Sequence, residues 1–332
     1  MRLLVTGAAG FIGANLVQRW VRHHPDDTVV ALDALTYAGV QASLDPVADR
    51  ITFVRADITD LSTMEDVLGS YRIDAVVNVA AESHNSLAVL DPTRFFTTNV
   101  LGTQQLLEAC RRVGVGRVHH VSTCEVYGDL ALDSPDAFTE SSPYRPRTPY
   151  NASKAGADHA VRAYAETYGL HVTITNCANN YGPYQFPEKV IPLFTTRALD
   201  GLGLPVYASS GNRREWLHVE DHCAAIEAVL LRGRPGATYN VGSGVEVSVA
   251  ELARSILDIL DRPHSLMATV PDRPGHDRRY LLDSSLIRSE LGWAPSVSFP
   301  DGLAATVSWY ADRRDWWEPL RARSPVDEGA WR

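Results

Sequence analysis

Tyr150 and Lys154 lie four residues apart, a spacing that sets both on one face of a helix. A cation beside a phenol favours the phenolate and lowers its pKa, so Tyr150 can act as base for a hydroxyl about to lose hydride. Upstream, the run Ser122-Thr123-Cys124-Glu125-Val126-Tyr127-Gly128 supplies a second base, Glu125, and a hydroxyl, Thr123, that can bond the same substrate oxygen. Two bases beside a dinucleotide site imply an oxidation followed by a further proton transfer. Cys124 is the odd member, a thiol where a second carboxyl would be expected. A Tyr/Lys pair at this spacing is common on solvated helix faces; its position after a Ser-Thr strand end argues for catalysis.

The dinucleotide site is read from Gly7-Ala8-Ala9-Gly10-Phe11-Ile12-Gly13, between an apolar strand and a helix. Glycines there permit a tight turn and let backbone approach a pyrophosphate at the helix N-terminus. The triplet alone would fit an ordinary turn. Asp33, twenty residues beyond Gly13 at the end of the next strand, strengthens the reading. Its carboxylate suits two ribose hydroxyls and repels a 2′-phosphate, which predicts NAD rather than NADP. Asp57 and Ile58 fall where an adenine edge could be held, although Asp57 reads equally well as a turn residue.

These residues need a scaffold, and the pattern predicts one. Strands are expected at Arg2–Thr6, Thr28–Leu32, Ile51–Arg55, Ala75–Val79, Val118–Ser122 and Val172–Asn176. Helices are expected at Phe11–His23, Ser62–Ser70, Thr93–Arg112 and Pro149–Tyr168. The alternation implies an α/β, Rossmann-type doubly wound parallel sheet. Beyond residue 180, glycine, proline and aromatic residues crowd Tyr181–Pro187 and Gly201–Trp216, and shorter helices follow at Val219–Leu231, Val249–Leu260 and Leu286–Leu291. The expected division is an NAD-binding domain over 1–180, to which segments near 215–240 return, and a smaller mixed α/β lobe over 181–332 for substrate. The aromatic tail Trp309–Trp317 is expected to pack on the surface rather than to act.

Composition narrows the class. The 332 residues are 45% hydrophobic and 21% charged, ordinary for a soluble globular chain. A formal charge of −9 without a basic run argues against a nucleic-acid partner. The opening Met1–Gly7 is too short an apolar stretch for a signal peptide, and no run approaches the length of a membrane span. Cys110, Cys124, Cys177 and Cys223 lack metal-type spacing, which predicts reduced thiols, a cytoplasmic location and no metal site.

The order of these motifs resembles the extended short-chain dehydrogenase/reductases, and nearly end to end the chain is similar to the dTDP-glucose 4,6-dehydratases. The resemblance is carried by Ala80-Ala81-Glu82-Ser83-His84, by Ser122–Gly128, by the stretch from Asn179 to Lys189, by Trp216-Leu217-His218-Val219, and by Asp272–Tyr280. It implies that Tyr150 and NAD oxidise the sugar C4 hydroxyl. Glu125 then removes the acidified C5 proton, the C6 hydroxyl leaves as water, and hydride returns to C6. Lys154 would hold the nicotinamide ribose and keep Tyr150 acidic. Phe11, Ile12, Ala80, Ala81 and Asn180 would join the cofactor site. Ser83, Asn179, Lys189, Val190, Pro205, Tyr207, Arg214, Arg273, His276 and Tyr280 would bind the nucleoside-diphosphate sugar, the cationic members serving its pyrophosphate. In similar enzymes the helices Thr93–Arg112 and Pro149–Tyr168 pair across a two-fold axis into a four-helix bundle, which implies a homodimer.

The chain also departs from the pattern. The family carries Asp at the position of Cys124, where it is taken to protonate the departing C6 hydroxyl. A thiol is mostly protonated at neutral pH, so Cys124 can be the acid. It can equally be a spacer, with water or Glu125 moving the proton, since similar GDP-mannose dehydratases have Ser there. Or the reaction ends differently, with hydride returning to C4 and an exocyclic enol ether as product. Asn85-Ser86-Leu87-Ala88 stands for the usual Val-Asp-Arg-Ser, Ala208-Ser209-Ser210-Gly211 for a Gly-Asp-Gly stretch, and Val249 for a frequent Asn. These leave the base and the sugar open. An NDP-sugar 5,6-dehydratase or a 4-epimerase is the alternative, although epimerases need no base such as Glu125. A non-catalytic NAD-binding scaffold is disfavoured by the intact Thr123, Glu125, Tyr150 and Lys154.

Overall fold

The computed structural model of the chain describes residues 1–272, 275 and 277–324, so the expectations for Arg273 and His276 lie outside the described residues. In chain order the strands are β1 (Arg2–Thr6), β2 (Thr28–Asp33), β3 (Ile51–Arg55), β4 (Ala75–Asn78), β5 (Arg117–Thr123), β6 (Val172–Cys177), β7 (Asn179–Tyr181), β8 (Leu204–Tyr207), β9 (Arg213–His218), β10 (Thr238–Val241), β11 (Glu246–Ser248) and β12 (Met267–Val270). Seven of them form one sheet in the order β10-β6-β5-β4-β1-β2-β3, with every pairing parallel. This is the expected α/β Rossmann-type fold. Leu3, Leu4 and Val5 of β1 are all fully buried, because helices cover both faces of a parallel sheet and leave no solvated side.

The chain winds outward to β2 and β3 on one side of β1 and to β5 and β6 on the other. The carboxyl ends of β1 and β4 therefore flank a crevice where the strand order reverses, the usual ligand position in such sheets. β10 pairs with β6, so a late segment closes the edge of this sheet. The remaining strands form β11-β9-β7 and the pair β12-β8, which stand beside the crevice with the helices Val190–Leu199 and Val249–Ile259.

Two expectations change. The single helix expected over Thr93–Arg112 is helical from Pro92 to Val113, but Phe96–Gly102 has π geometry. The wide turn turns Asn99 inward, fully buried, where it accepts from Glu82 N at 2.9 Å and donates to Glu82 O at 3.0 Å and Ser153 Oγ at 2.8 Å. A π turn of this kind is often found beside functional sites. The aromatic tail is not a surface patch. Tyr310 and Trp317 are fully buried, Tyr310 donates its hydroxyl to Gln185 O, and Arg321 and Ser324 reach the cavity wall. An apolar ring recovers more free energy buried against Phe186 and Val40 than exposed to water, and Trp316 packs there.

Candidate active site

One cavity of about 840 Å³ runs along the carboxyl edge of the sheet. At its cofactor end the wall is main chain. Gly7 has φ +65°, and a Cβ there would lie 2.7 Å from Ala80 N at the end of β4. A Cβ on Gly13 would overlap the Gly7 carbonyl oxygen. Glycine is thus required by the close passage of two backbones, which leaves a groove shaped for a pyrophosphate at the start of the helix Phe11–His23. Gly10, Phe11, Ile12, Ile58, Ala80 and Ala81 all border it. Asp33 closes the end of β2, accepting from Ala9 N at 2.9 Å and Leu35 N at 2.7 Å. Burial pushes its pKa above the ordinary carboxylate value. Asp57 borders the cavity too, but its Oδ1 accepts from Thr59 N and Oγ1, both at 2.9 Å, as a turn residue does. The glycine cradle and the carboxylate at its far end fit a dinucleotide with a free 2′-hydroxyl.

Thr123, Glu125, Tyr150 and Lys154 meet in the middle of the same cavity. β5 delivers Thr123 at its end, and a short turn, Cys124–Tyr127, carries Glu125, whose amide donates to Thr123 Oγ1 at 3.3 Å. Thr148 caps the helix Pro149–Tyr168 by accepting from Asn151 N at 3.2 Å, and this fixes the first turn that holds Tyr150. Proline at the first helical position is preorganised for the same start.

The electrostatics differ from the sequence expectation. Tyr150 is pushed well above the ordinary phenol value, first by burial and then by the charge of Glu125. The Lys154 ammonium donates to Val121 O at 2.7 Å and stands 3.4 Å from His120 Nε2, so its hydrogen bonds go to the strand rather than to the phenol. Burial lowers the Lys154 pKa while Asp158 pulls it back up. Asp158 is itself fully buried and accepts from Ser122 Oγ at 2.8 Å and Tyr144 Oη at 2.9 Å. His120, Asp158 and Ser122 thus form a polar floor beneath Lys154 that the sequence reading did not identify. The signal for it was present: Asp158 lies one helical turn beyond Lys154.

Cys124 does not belong to the cavity wall. Its thiol is 1% exposed, packed with Tyr127, Ala155 and Cys177, and pushed well above the ordinary thiol value by burial.

Toward the second end the wall becomes side chains from separate elements. Ser83, Asn179, Asn180, Lys189, Val190, Pro205, Tyr207, Arg214 and Tyr280 all border the cavity. Arg214 is 8% exposed, donates to Asp277 O at 2.6 Å and Arg213 O at 2.8 Å, and sits 4.9 Å over the Tyr280 ring. Tyr280 bonds Asp277 through its hydroxyl. Lys189 donates to Ser83 O at 2.8 Å. The Asn180 amide is anchored by Ala178 O at 2.9 Å and by His222 Nδ1 at 2.9 Å. Val249 borders the cavity as well, whereas Ala208–Gly211 does not; Ser209 turns to Asp272 instead, at 2.7 Å from its hydroxyl. Among the described residues no group of three or more His, Cys, Asp or Glu could hold a metal, and no helix is long and apolar enough to cross a membrane.

A family profile described as GDP-mannose 4,6 dehydratase matches residues 4–306. A dTDP-glucose 4,6-dehydratase of Mycobacterium tuberculosis is 50% identical over 322 residues, which cover 97% of this chain and 96% of that protein. One from Streptomyces niveus is 48% identical over 340 residues, covering 99% of this chain and 100% of its own. Among solved structures, the dTDP-glucose 4,6-dehydratase of Streptomyces venezuelae with NAD and TYD bound superposes with a TM-score of 0.93 at 51% identity, covering 96% of this chain and 100% of that one.

Proposed function

The chain belongs to the dTDP-glucose 4,6-dehydratase family, within the extended short-chain dehydrogenase/reductases, and we propose that it dehydrates a nucleoside-diphosphate hexose, dTDP-glucose in the first instance, to the 4-keto-6-deoxy sugar. The observation that carries this reading is the convergence of Thr123, Glu125, Tyr150 and Lys154 on one cavity that continues into a glycine cradle ending at Asp33. NAD held by the Gly7, Gly10 and Gly13 cradle and Asp33 would supply a reversible acceptor for the sugar's hydride.

The residues divide the proton work. Thr123 orients the C4 hydroxyl, and Tyr150 takes its proton. Burial holds Tyr150 protonated in the resting site, so a positive charge near the phenol is needed for it to act as base. Lys154, held by Val121 O on the strand and backed by Asp158, is the protein's nearby contribution to that charge. Once C4 is a ketone, Glu125 removes the C5 proton, and the C6 hydroxyl departs as water. Arg214 and Lys189 suit the pyrophosphate, because charge-assisted donors bind such oxygens strongly.

Cys124 is buried off the cavity wall with its pKa pushed up, so it is poorly placed to protonate the leaving C6 hydroxyl, and water or Glu125 carries that proton instead. Both end points need that loss; the second reading differs only in returning the hydride to C4, which gives a 5,6-dehydrated sugar. The two are separated by incubating the protein with dTDP-glucose, and in parallel with UDP-glucose and UDP-GlcNAc, in deuterated water. Loss of water with deuterium at C5 and a new C6 methyl supports 4,6-dehydration. An exocyclic alkene without a methyl supports the second reading, and no product from any sugar overturns both.

The assembly proposed is a homodimer through a four-helix bundle. Phe96 and Leu101, on the outer face of the helical segment 92–113, are 45% and 46% exposed, and apolar side chains on a helix face are what such a bundle covers. A monomeric mass by light scattering at micromolar concentration would overturn it. A cytoplasmic location is supported by four free, buried cysteines.

A further inference from the structure

Asn85 stands where the family pattern has an apolar residue, and it makes a contact that residue could not. Its Nδ2 donates to Glu125 Oε2 at 3.0 Å, and its Oδ1 accepts from Thr148 Oγ1 at 2.9 Å. The orientation of the amide follows from its partners. An ionised Glu125 carboxylate can only accept, so the Asn85 NH2 faces it and Asn85 Oδ1 takes the Thr148 hydroxyl proton. The His84 side chain holds Asn85 in turn: its Nδ1 accepts from Ser86 N at 3.1 Å and Leu87 N at 3.2 Å and so caps the short helix Asn85–Leu90. A continuous chain runs from the cap of the Tyr150 helix through Asn85 to the carboxylate of Glu125.

We propose that Asn85 is a positioning residue for Glu125: it keeps that carboxylate charged and fixed relative to Tyr150, so that the base at C5 is ready once C4 has been oxidised. The inference rests on the reading of Glu125 as the C5 base. Described groups coupled electrostatically to Glu125 include Tyr150 from the helix Pro149–Tyr168, Cys124 from its own turn, Cys177 from β6 and Tyr280 from the segment after Asp277. A hydrogen bond to the ionised form favours it, and Asn85 supplies one at 3.0 Å. The amide also ties the two bases to one helix cap, so neither moves without the other.

The test uses the NAD-loaded protein with Asn85→Val and Asn85→Asp. Asn85→Val removes the donor without adding charge and so carries the test, while Asp keeps the shape of Asn, donates nothing and adds like charge, which sets the upper bound of the effect. The first readout needs no turnover. With 13C-labelled glutamate, and Glu125 assigned through Glu125→Gln, the midpoint of Glu125 rises by about one pH unit in Asn85→Val, a tenfold change in proton affinity, and further in Asn85→Asp. The second follows dTDP-glucose in deuterated water: deuterium entry at C5 falls about tenfold in Asn85→Val below the new midpoint, while the initial C4 oxidation, read from cofactor absorbance, keeps its rate. Recovery at higher pH in Asn85→Val completes the expected result. An unchanged Glu125 midpoint in Asn85→Val overturns the inference, as does Asn85→Asp with wild-type exchange. If the unaltered protein exchanges no C5 proton with any sugar tested, the functional reading fails, while the titration still decides whether Asn85 holds the carboxylate.

Discussion

At one end of the cavity the wall is backbone, and at the other it is side chains. The cofactor end is made by Gly7 passing within contact of Ala80 just beyond β4 and by Gly10 and Gly13 packing on the Gly7 carbonyl, with one carboxylate, Asp33, held by two amides. The sugar end is assembled from Arg214 on β9, Tyr280 from a later loop, Lys189 before a helix and Asn179 on β7, drawn from across a hundred residues of chain. A backbone groove tolerates little change because nothing in it can be swapped without moving the main chain. A side-chain wall can be retuned one residue at a time. The residues proposed for catalysis sit between the two, at the end of β5, on the turn after it and on the next helix.

Four experiments would break or sharpen the contrast. Gly13→Ala has the largest expected effect: its Cβ overlaps the Gly7 carbonyl, so bound NAD is lost and the fold is weakened by about 1–3 kcal/mol. Cofactor content after purification and a thermal melt check this, and full NAD retention would show that the groove yields. Glu125→Gln should lower product formation by about 10²–10⁴-fold while reduced cofactor still accumulates on adding sugar. Rapid-scan absorbance separates the two steps. Arg214→Lys keeps charge but loses the fork, so KM for the nucleotide sugar should rise about tenfold with little change in kcat. A fall in kcat alone would place Arg214 in the chemistry instead.

The smallest effect on turnover, and a test of how the sugar end is held, comes from Glu215. It is fully buried on β9, and its carboxylate accepts from Gly244 N at 2.6 Å and Leu282 N at 2.9 Å, strapping β9 to the loop after β10 and to the segment after Tyr280. Burial pushes its pKa from 4.5 up to about 7. The folded chain therefore holds a proton that the unfolded chain has released between those values. Glu215 contributes its full stability below pH 4.5 and loses it as pH rises to about 7, by up to about 3 kcal/mol. Glu215→Gln should flatten the slope of denaturant stability against pH in that window. An unchanged slope would mean that the strap does not titrate.

Much of the scaffold was legible because its signals are local. A buried parallel strand is an apolar run such as Leu3–Val5, and a helix on its face is a repeat such as Leu16, Val17 and Trp20, so Phe11–His23 and Pro149–Tyr168 are found at their expected bounds. The glycine turn and the Tyr150/Lys154 spacing are likewise short-range. The sequence by itself thus determined which segments become strands and helices, where the glycine turn falls and that Tyr150 and Lys154 share one helix, since each depends on residues within a few positions of one another. Only the tertiary structure decided what those side chains touch. That Lys154 turns to Val121 O, that Asn99 clamps Glu82 and that Asn85 grips Glu125 depend on partners 17 to 40 residues away, and Cys124 faces a core that includes Cys177, further still along the chain. No periodicity encodes such pairs. They are selected by the need to satisfy buried polar groups once the sheet has brought the segments together, and that need exists only in the folded chain.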